Sequence, residues 1–269
     1  MLKNKYLKES SFDRNLFSYF LQNKDILTYD TIIAYYQPIV QSIESKDIFL
    51  FEALMRWDHE KYGIISADSF IDYFKENGDI LALGSVFSFR VFQEFFLLNQ
   101  INDANASVSI NFSIRELSAP FFMESFKIMI HQSGLNPELF VIELSELEFL
   151  DSLVLYKRIL YQLKEMGVRI CIDNFGHNFS SFTYLLNLPV DMVKIDKFFV
   201  QKINNDQEVY LIISSLINIC HNLSIKVIAV GVETESQYSL LKNMNCDYYQ
   251  GYYFSQPFSL DLIEFYSIS

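Results

Sequence analysis

The 269-residue chain has little of what breaks or staples a backbone, with 8 glycines, 5 prolines and 3 cysteines. No Ser/Gly/Pro-rich or like-charged run divides it, so nothing reads as a linker. It reads as one domain, residues 12–269, behind a short polar extension, residues 1–11. Cys171, Cys220 and Cys246 are odd in number and have no CxxC spacing, which argues against a disulfide or zinc framework and for buried, reduced thiols. Basic residues are scarce as well, 21 against 33 acidic, for a formal net charge of −12. That balance argues against a general DNA or RNA surface, where clustered Lys and Arg neutralise phosphates. A small anionic ligand would need a local cationic pocket or bound metal ions.

Targeting signals are missing too. The start, "MLKNKYLKESSFDRN", is charged and lacks the apolar region of a signal peptide, and no later run is read as the ~18 apolar residues of a spanning helix. The expectation is no membrane insertion and a cytoplasmic protein. There is no HExxH, no GxSxG elbow and no Gly-rich phosphate loop. His59, His131, His177 and His221 share no metal-ligand spacing and read as structural or surface residues, His177 differing only because it closely follows Asp173. What the chain does have is apolar bulk, 51% hydrophobic and 16% aromatic residues, enough for a large core.

That bulk is arranged in alternation. Apolar, β-branched runs predict strands at 32–40, 48–55, 107–112, 139–145, 168–173, 192–196, 226–232 and 248–254. Helical spacing predicts helices at 66–77, 83–98, 119–132, 150–166, 179–186, 207–222 and 234–243. Strand and helix alternating through such a length predict an α/β fold, a single (β/α)8 TIM-like barrel, with a doubly wound open sheet as the alternative. Only Gln41 to Asp47 separate the first two strands, too few for a parallel crossover of a dozen residues or more. The first strand is therefore predicted to be antiparallel.

Strand after strand carries one polar side chain in or at the end of its apolar run: Glu52, Asn111, Glu143, Asp173, Lys194, Glu233 and Gln250. Any one alone reads as a solvated cap or a salt-bridge partner. Together, on different strands, they converge on the C-terminal mouth of a barrel, where isolated buried carboxylates would be costly unless paired or bound to a cation. Glu52, Asn111, Glu143 and Asp173 offer only oxygen donors, which favour Mg²⁺, Mn²⁺ or Ca²⁺ over zinc. With Lys194 and Arg56 beside them, such a site suits a phosphate-bearing ligand.

The residues also resemble a known family. "FEALMRW" (51–57) carries the motif that names the EAL domain family, the bacterial cyclic di-GMP phosphodiesterases. "YYQPIV" (35–40), "NFS" (111–113), "IELSE" (142–146), "IDNFG" (172–176), "LPVDMVKIDKFFV" (188–200), "GVETESQ" (231–237) and "QGYYFSQP" (250–257) continue the likeness in order, from about residue 12 to 260. The resemblance implies a TIM-like barrel with an antiparallel first strand, cyclic di-GMP as ligand, and Mg²⁺ or Mn²⁺ as cofactor, with Ca²⁺ as an inhibitory or non-catalytic ion. It also implies a homodimer through the barrel mouth. Glu52, Asn111, Glu143 and Asp173 match the family's metal ligands, Arg56 its phosphate-contacting arginine, and Lys194, with Glu52, its catalytic position near the attacking water. Gln37, Leu54, Asp196, Gln250 and Pro257 match positions lining the ligand pocket, and Glu146 the glutamate that props the loop after the fifth strand.

Two departures touch the chemistry. Where the family has two adjacent aspartates this chain has Asp173-Asn174, and the neutral Asn174 implies a weakened second metal. Where the family has Ala-Glu-Gly-Val-Glu this chain has "AVGVE", so Val230 stands at the general-base position. A valine cannot accept a proton, and such assistance is typically worth ~10²–10⁴-fold. Glu233, three residues on, points away from Val230's face as long as the strand continues past Gly231. His177 and Asn178 replace a small residue and a glycine in the loop after Asp173, which implies a stiffer loop. The combined expectation is a degenerate member that binds cyclic di-GMP and/or a protein partner as a receptor or adaptor, with little or no hydrolysis. The alternatives are an active phosphodiesterase producing linear pGpG through a metal-bound hydroxide, and a module that binds only protein.

Overall fold

A computed structural model describes residues 31–44, 48–102, 106–120, 122–145, 153–176 and 181–265. The 1–11 extension, Glu146, His177 and Asn178 lie outside the described residues.

Strands β1 (Ile32–Val40) and β2 (Ile48–His59) form the expected antiparallel hairpin, from Ile32 opposite Trp57 to Ile39 opposite Leu50. From β2 the sheet runs parallel through β4 (Val108–Asn111), β5 (Phe140–Ser145), β6 (Arg169–Phe175), β7 (Met192–Ile195), β8 (Lys226–Val230) and β9 (Tyr248–Gln250). β9 then pairs antiparallel with β1, Val40 opposite Tyr249, which closes an eight-stranded barrel. β3 (Gly63–Ser66) prolongs the β2 edge and β10 (Phe258–Ser259) adds to β1. Neither was expected, because four and two residues carry almost no alternation to read.

The outer layer holds α1 (Ile71–Asn77), α2 (Ile80–Asn102), α3 (Ile114–Leu117), α4 (Phe122–Ser133), α5 (Leu153–Glu165), α6 (Ser181–Asn187), α7 (Lys197–Lys202), α8 (Gln207–Asn222) and α9 (Glu235–Asn243). The helix expected at 66–77 is split into a 3-10 turn, Ala67–Ser69, and α1, which Gly78 ends in the left-handed conformation. The helix expected at 83–98 is longer, and as α2 it is long and apolar enough, by length and composition, to cross a membrane. It nonetheless buries Val91 and Phe95 completely against the barrel.

Alternation along each strand sorts side chains into two apolar layers. Val193, Ile195, Val227 and Ala229 face the helices. Ile39, Leu50, Val141, Cys171, Met192 and Ile228 face inward and fill the barrel floor, with Val230 and Tyr248 packed on them. All three cysteines are unpaired and buried, as expected. Several strand ends differ from expectation: β2 runs on to His59 and β6 to Phe175, while β8 and β9 stop short at glycines. β8 stops at Val230 because Gly231 turns the chain at φ +79, where a Cβ would lie 2.7 Å from that of Lys197. β9 stops at Gln250 because Gly251 sits so close to Val232 that a Cβ would be 2.0 Å from its carbonyl oxygen.

Candidate functional site at the barrel mouth

Two residues above the apolar floor, each barrel strand contributes the next inward side chain: Gln37, Glu52, Asn111, Glu143, Asp173, Lys194, Val230 and Gln250. Seven of these eight are polar, and Val230 is the apolar exception. The ring is knitted together from Lys194, which is 1% exposed. Its Nζ donates to Glu143 Oε2 at 2.6 Å and lies 2.8 Å from Glu52 Oε2. Glu52 also accepts from Asn111 Nδ2 at 3.1 Å and Gln250 Nε2 at 2.6 Å. Gln250 Nε2 reaches Gln37 Oε1 at 3.2 Å, and Gln37 Nε2 donates to the Ser255 carbonyl at 3.1 Å. Gln250 Oε1 is buried without a hydrogen-bond partner, and Gln250 is the register neighbour of Val230.

Burial and proximity split the two glutamates. Burial opposes ionisation of Glu52, but Lys194 beside it and the hydrogen bonds from Gln250, Lys194 and Asn111 outweigh that cost and lower its pKa. Burial, reinforced by the charges of Glu52 and Asp173 and only partly offset by Lys194, pushes Glu143 up to about 8. Burial also raises Asp173, with Lys194 opposing and Glu52 adding to the shift. Lys194 is desolvated, yet the surrounding Glu143, Glu52 and Asp173 hold it well above the ordinary lysine range, so it stays charged. Glu52 and Lys194 thus form the ionic core, and Glu143 is the carboxyl driven toward its neutral form.

Asp173 and Asn174 close the far side of the ring. Asn174 adopts φ +55, a left-handed conformation that Asn tolerates, and its Nδ2 donates to Asp173 Oδ2 at 2.9 Å. The side chain after Asp173 therefore brings a donor to that carboxylate and no second negative charge.

Above the ring, Glu52, Leu54 and Arg56 share one face of β2 by parity. The Arg56 guanidinium lies 5.8 Å from the Tyr35 ring centroid and donates to the Met55 carbonyl at 2.9 Å. Burial lowers its pKa, while Asp68, Tyr252, Tyr35 and Glu52 counteract. Tyr35 and the exposed Tyr252 were not anticipated as parts of the mouth. The hairpin register, which sets Tyr35 opposite Leu54, is the signal that could have found the first. Asp196 caps α7 by accepting from Phe198 N at 2.7 Å, and Pro257 lies half-buried after Ser255 and Gln256.

Glu233 lies off the ring. The turn at Gly231 ends the strand before parity applies to it, and Glu233 is exposed, with its N–H donating to Gln237 Oε1 at 2.8 Å. Two histidines have structural partners: His59 Nδ1 accepts from Lys61 N, and His221 pairs with Asp247 at 2.7 Å.

Glu52, Asn111, Glu143 and Asp173 suit one hard divalent cation by their chemistry, since all can present oxygen and Asn111 and Asp173 reach the open side of the mouth. Among the described residues no three His, Cys, Asp or Glu side chains stand together as a ready ion cage. Lys194 lies between two of the acids, and an amide rests on the third.

Comparison with known proteins agrees with this fold. A family model for the EAL domain matches residues 22–257. The cyclic di-GMP phosphodiesterase NbdA of Pseudomonas aeruginosa is 30% identical over 235 residues, 87% of this chain and 30% of that protein. The biofilm architecture maintenance protein MbaA of Vibrio cholerae is 33% identical over 230 residues, 85% of this chain and 28% of that protein. The chain thus spans about a third of the length of such relatives. A solved structure of the PaMucR phosphodiesterase in a c-di-GMP complex superposes with a TM-score of 0.84 at 26% identity, covering 92% of this chain and 99% of that one.

Proposed function

The chain belongs to the EAL domain family, and on that footing we propose that its barrel mouth binds cyclic di-GMP as a bacterial signalling receptor or adaptor with little or no hydrolysis. The observation that carries this reading is the ring itself, seven polar side chains, six of them tied into one network, and a valine at the eighth place. Groups that bind and groups that react contribute separately to catalysis, so a site can retain the first and lose the second.

In this reading Arg56 meets a ligand phosphate, with Leu54, Asp196 and Pro257 around the ligand. The unpartnered Oε1 of Gln250 supports the same reading, since a buried acceptor left without a donor costs ~1–3 kcal/mol and a ligand donor would remove that cost. Glu52, Asn111, Glu143 and Asp173 are the residues that would hold Mg²⁺ or Mn²⁺, which when bound supplies Lewis-acid polarisation of a phosphate oxygen. Asn174 weakens a second ion, and Val230 leaves no side chain to take a proton from water. Output to a protein partner and a cytoplasmic location complete the reading.

The test is a titration of cyclic di-GMP against the purified protein with Mg²⁺, Mn²⁺ or Ca²⁺, with pGpG followed by chromatography. Binding without product is the expected result. Turnover at ordinary enzyme rates refutes the receptor in favour of an active phosphodiesterase. No binding under any of the three ions refutes a nucleotide role.

A further inference from the structure

Below the apolar floor, at the end of the barrel opposite the mouth, Arg169 is the next inward side chain of β6, on the same face as Cys171 and Asp173. A guanidinium is a fork of N–H donors with no acceptor of its own. Among the described residues no acceptor and no acid meets that of Arg169, and its Nε and Nη2 are buried all the same. Only Nη1 is left to water.

The acids at this end are already used. Asp191 accepts from Lys164 Nζ at 2.6 Å through Oδ1 and from Ile170 N at 2.7 Å through Oδ2. Asp247 accepts from Lys226 Nζ at 2.7 Å and Val227 N at 2.9 Å, and pairs with His221 at 2.7 Å. Glu138 is exposed. Burial lowers the pKa of Arg169, with Asp191, Tyr248 and Glu138 opposing from a distance. Lys164 and Lys226 thus have their counter-ions, and Arg169 is the cation left over.

What does lie against the guanidinium is aromatic. Ile39 pairs with Leu50 and Val40 with Ile48, so Phe49 is the extra residue of a bulge, which turns its ring onto the barrel floor. That ring centroid lies 5.3 Å from Arg169 Cζ, and the ring stacks on Tyr248 at 3.8 Å and 10°. A ring face steadies a cation but leaves its N–H donors without a strong acceptor.

We propose that this end of the barrel is a second binding site, for a small organic anion whose single carboxylate is attached to a flat apolar body. It is independent of what the mouth binds. The carboxylate enters at Nη1 and spans the Nη1–Nη2 edge of Arg169, while the body lies against Phe49 and Tyr248. Guanidinium and carboxylate are planar forks that match in two parallel hydrogen bonds. Phe49, half-buried and unpaired in the ladder, is the side chain that adjusts around the incoming group. One negative charge balances the one leftover cation, whereas a phosphate dianion brings a surplus beside Asp191 and Asp247 in a chain of net charge −12. The aromatic pair favours a flat body over a small hydrated anion, which would leave the rings uncovered.

Benzoate is the probe, and benzamide its neutral match. Titration of the purified protein, followed by broadening of the ligand's NMR signals, should give a Kd of about 1 mM for benzoate and at least ~10-fold weaker binding of benzamide and of inorganic phosphate. Arg169→Lys, which keeps the charge and loses the fork, should weaken benzoate ~10-fold or more. Phe49→Leu should weaken it by a smaller factor, about 3-fold. The melting temperature of each variant reports whether the barrel is intact, and the benzamide and phosphate comparisons use the parent alone, so they decide even where a variant fails to fold. No benzoate binding up to about 20 mM, benzamide or phosphate binding as tightly as benzoate, or a folded Arg169→Lys variant with the parent's affinity would each overturn the proposal.

Discussion

Lys194→Met is the sharpest probe of how the mouth is held together. The substitution keeps most of the side-chain volume and removes the one ammonium that lies 2.8 Å from Glu52 and 2.6 Å from Glu143. At pH 7 the two acids respond differently. Glu143, raised to about 8, is already largely neutral and loses little when the ammonium goes. Glu52 keeps its hydrogen bonds from Asn111 and Gln250 but loses its counter-charge while only 8% exposed. Removing one partner of a buried ion pair typically costs ~3–5 kcal/mol, and since one acid is relieved by protonation and the other is still hydrogen-bonded, the loss here should be about 3 kcal/mol. Urea unfolding at pH 7 in EDTA measures it. Saturating Mg²⁺ should recover more stability in the variant than in the parent, because a divalent ion can neutralise the same carboxylates. A loss under about 1 kcal/mol with an unchanged denaturant slope would show that Lys194 is not the counter-ion of this ring.

Other expectations follow from single features. Because Glu143 is raised from 4.5 to about 8 on folding, the native state binds its proton more tightly than the unfolded chain, so metal-free stability should fall as pH rises through that window. Glu143→Gln, a mimic of the neutral form, should flatten the profile and exceed the parent by more than about 1 kcal/mol near pH 9; parallel profiles would sink the argument. Gly231→Ala forces φ +79 on an alanine and sets its Cβ 2.7 Å from that of Lys197, so it should cost ~1–3 kcal/mol, seen as a lower melting temperature; an unchanged one would mean the turn is not constrained. Val230→Glu with Asn174→Asp should raise pGpG formation by ~10²-fold or more if the missing groups are what limits hydrolysis; unchanged turnover would place the limit elsewhere in the site.

How much of this was legible in the sequence depended on whether the signal was carried by pattern or by contact. The antiparallel first strand followed from a loop of seven residues, and six of the eight ring positions from single polar residues in otherwise apolar strands, a pattern that also took in Glu233, which lies off the ring, and missed Gln37. α3 and α7, of four and six residues, escaped because little more than one helical turn gives no periodicity, although their caps at Ser113 and Asp196 are written in the sequence. The extent of β8 was overread because "VIAVGV" is apolar past its end, and only the left-handed turn at Gly231 stops it. The most consequential details were out of reach for a different reason. That Lys194 bridges two carboxylates, and that Asn174 donates to its neighbour, are facts about side-chain direction across and beside strands, which spacing does not encode.

The geometry also explains why Val230 can be the position that departs. Within the ring Asn111, Glu143 and Gln250 each give or receive a hydrogen bond at the Lys194–Glu52 core, so the loss of one would leave a buried partner unsatisfied. Val230 rests instead on the apolar floor beside Ile228, and the network closes without it. A glutamate there would add another acid to Glu52, Glu143 and Asp173 around a single lysine, a charge balance that is costly when buried unless a cation is bound. Valine removes that demand, so Val230 is compatible with a barrel mouth that is stable with no cation bound.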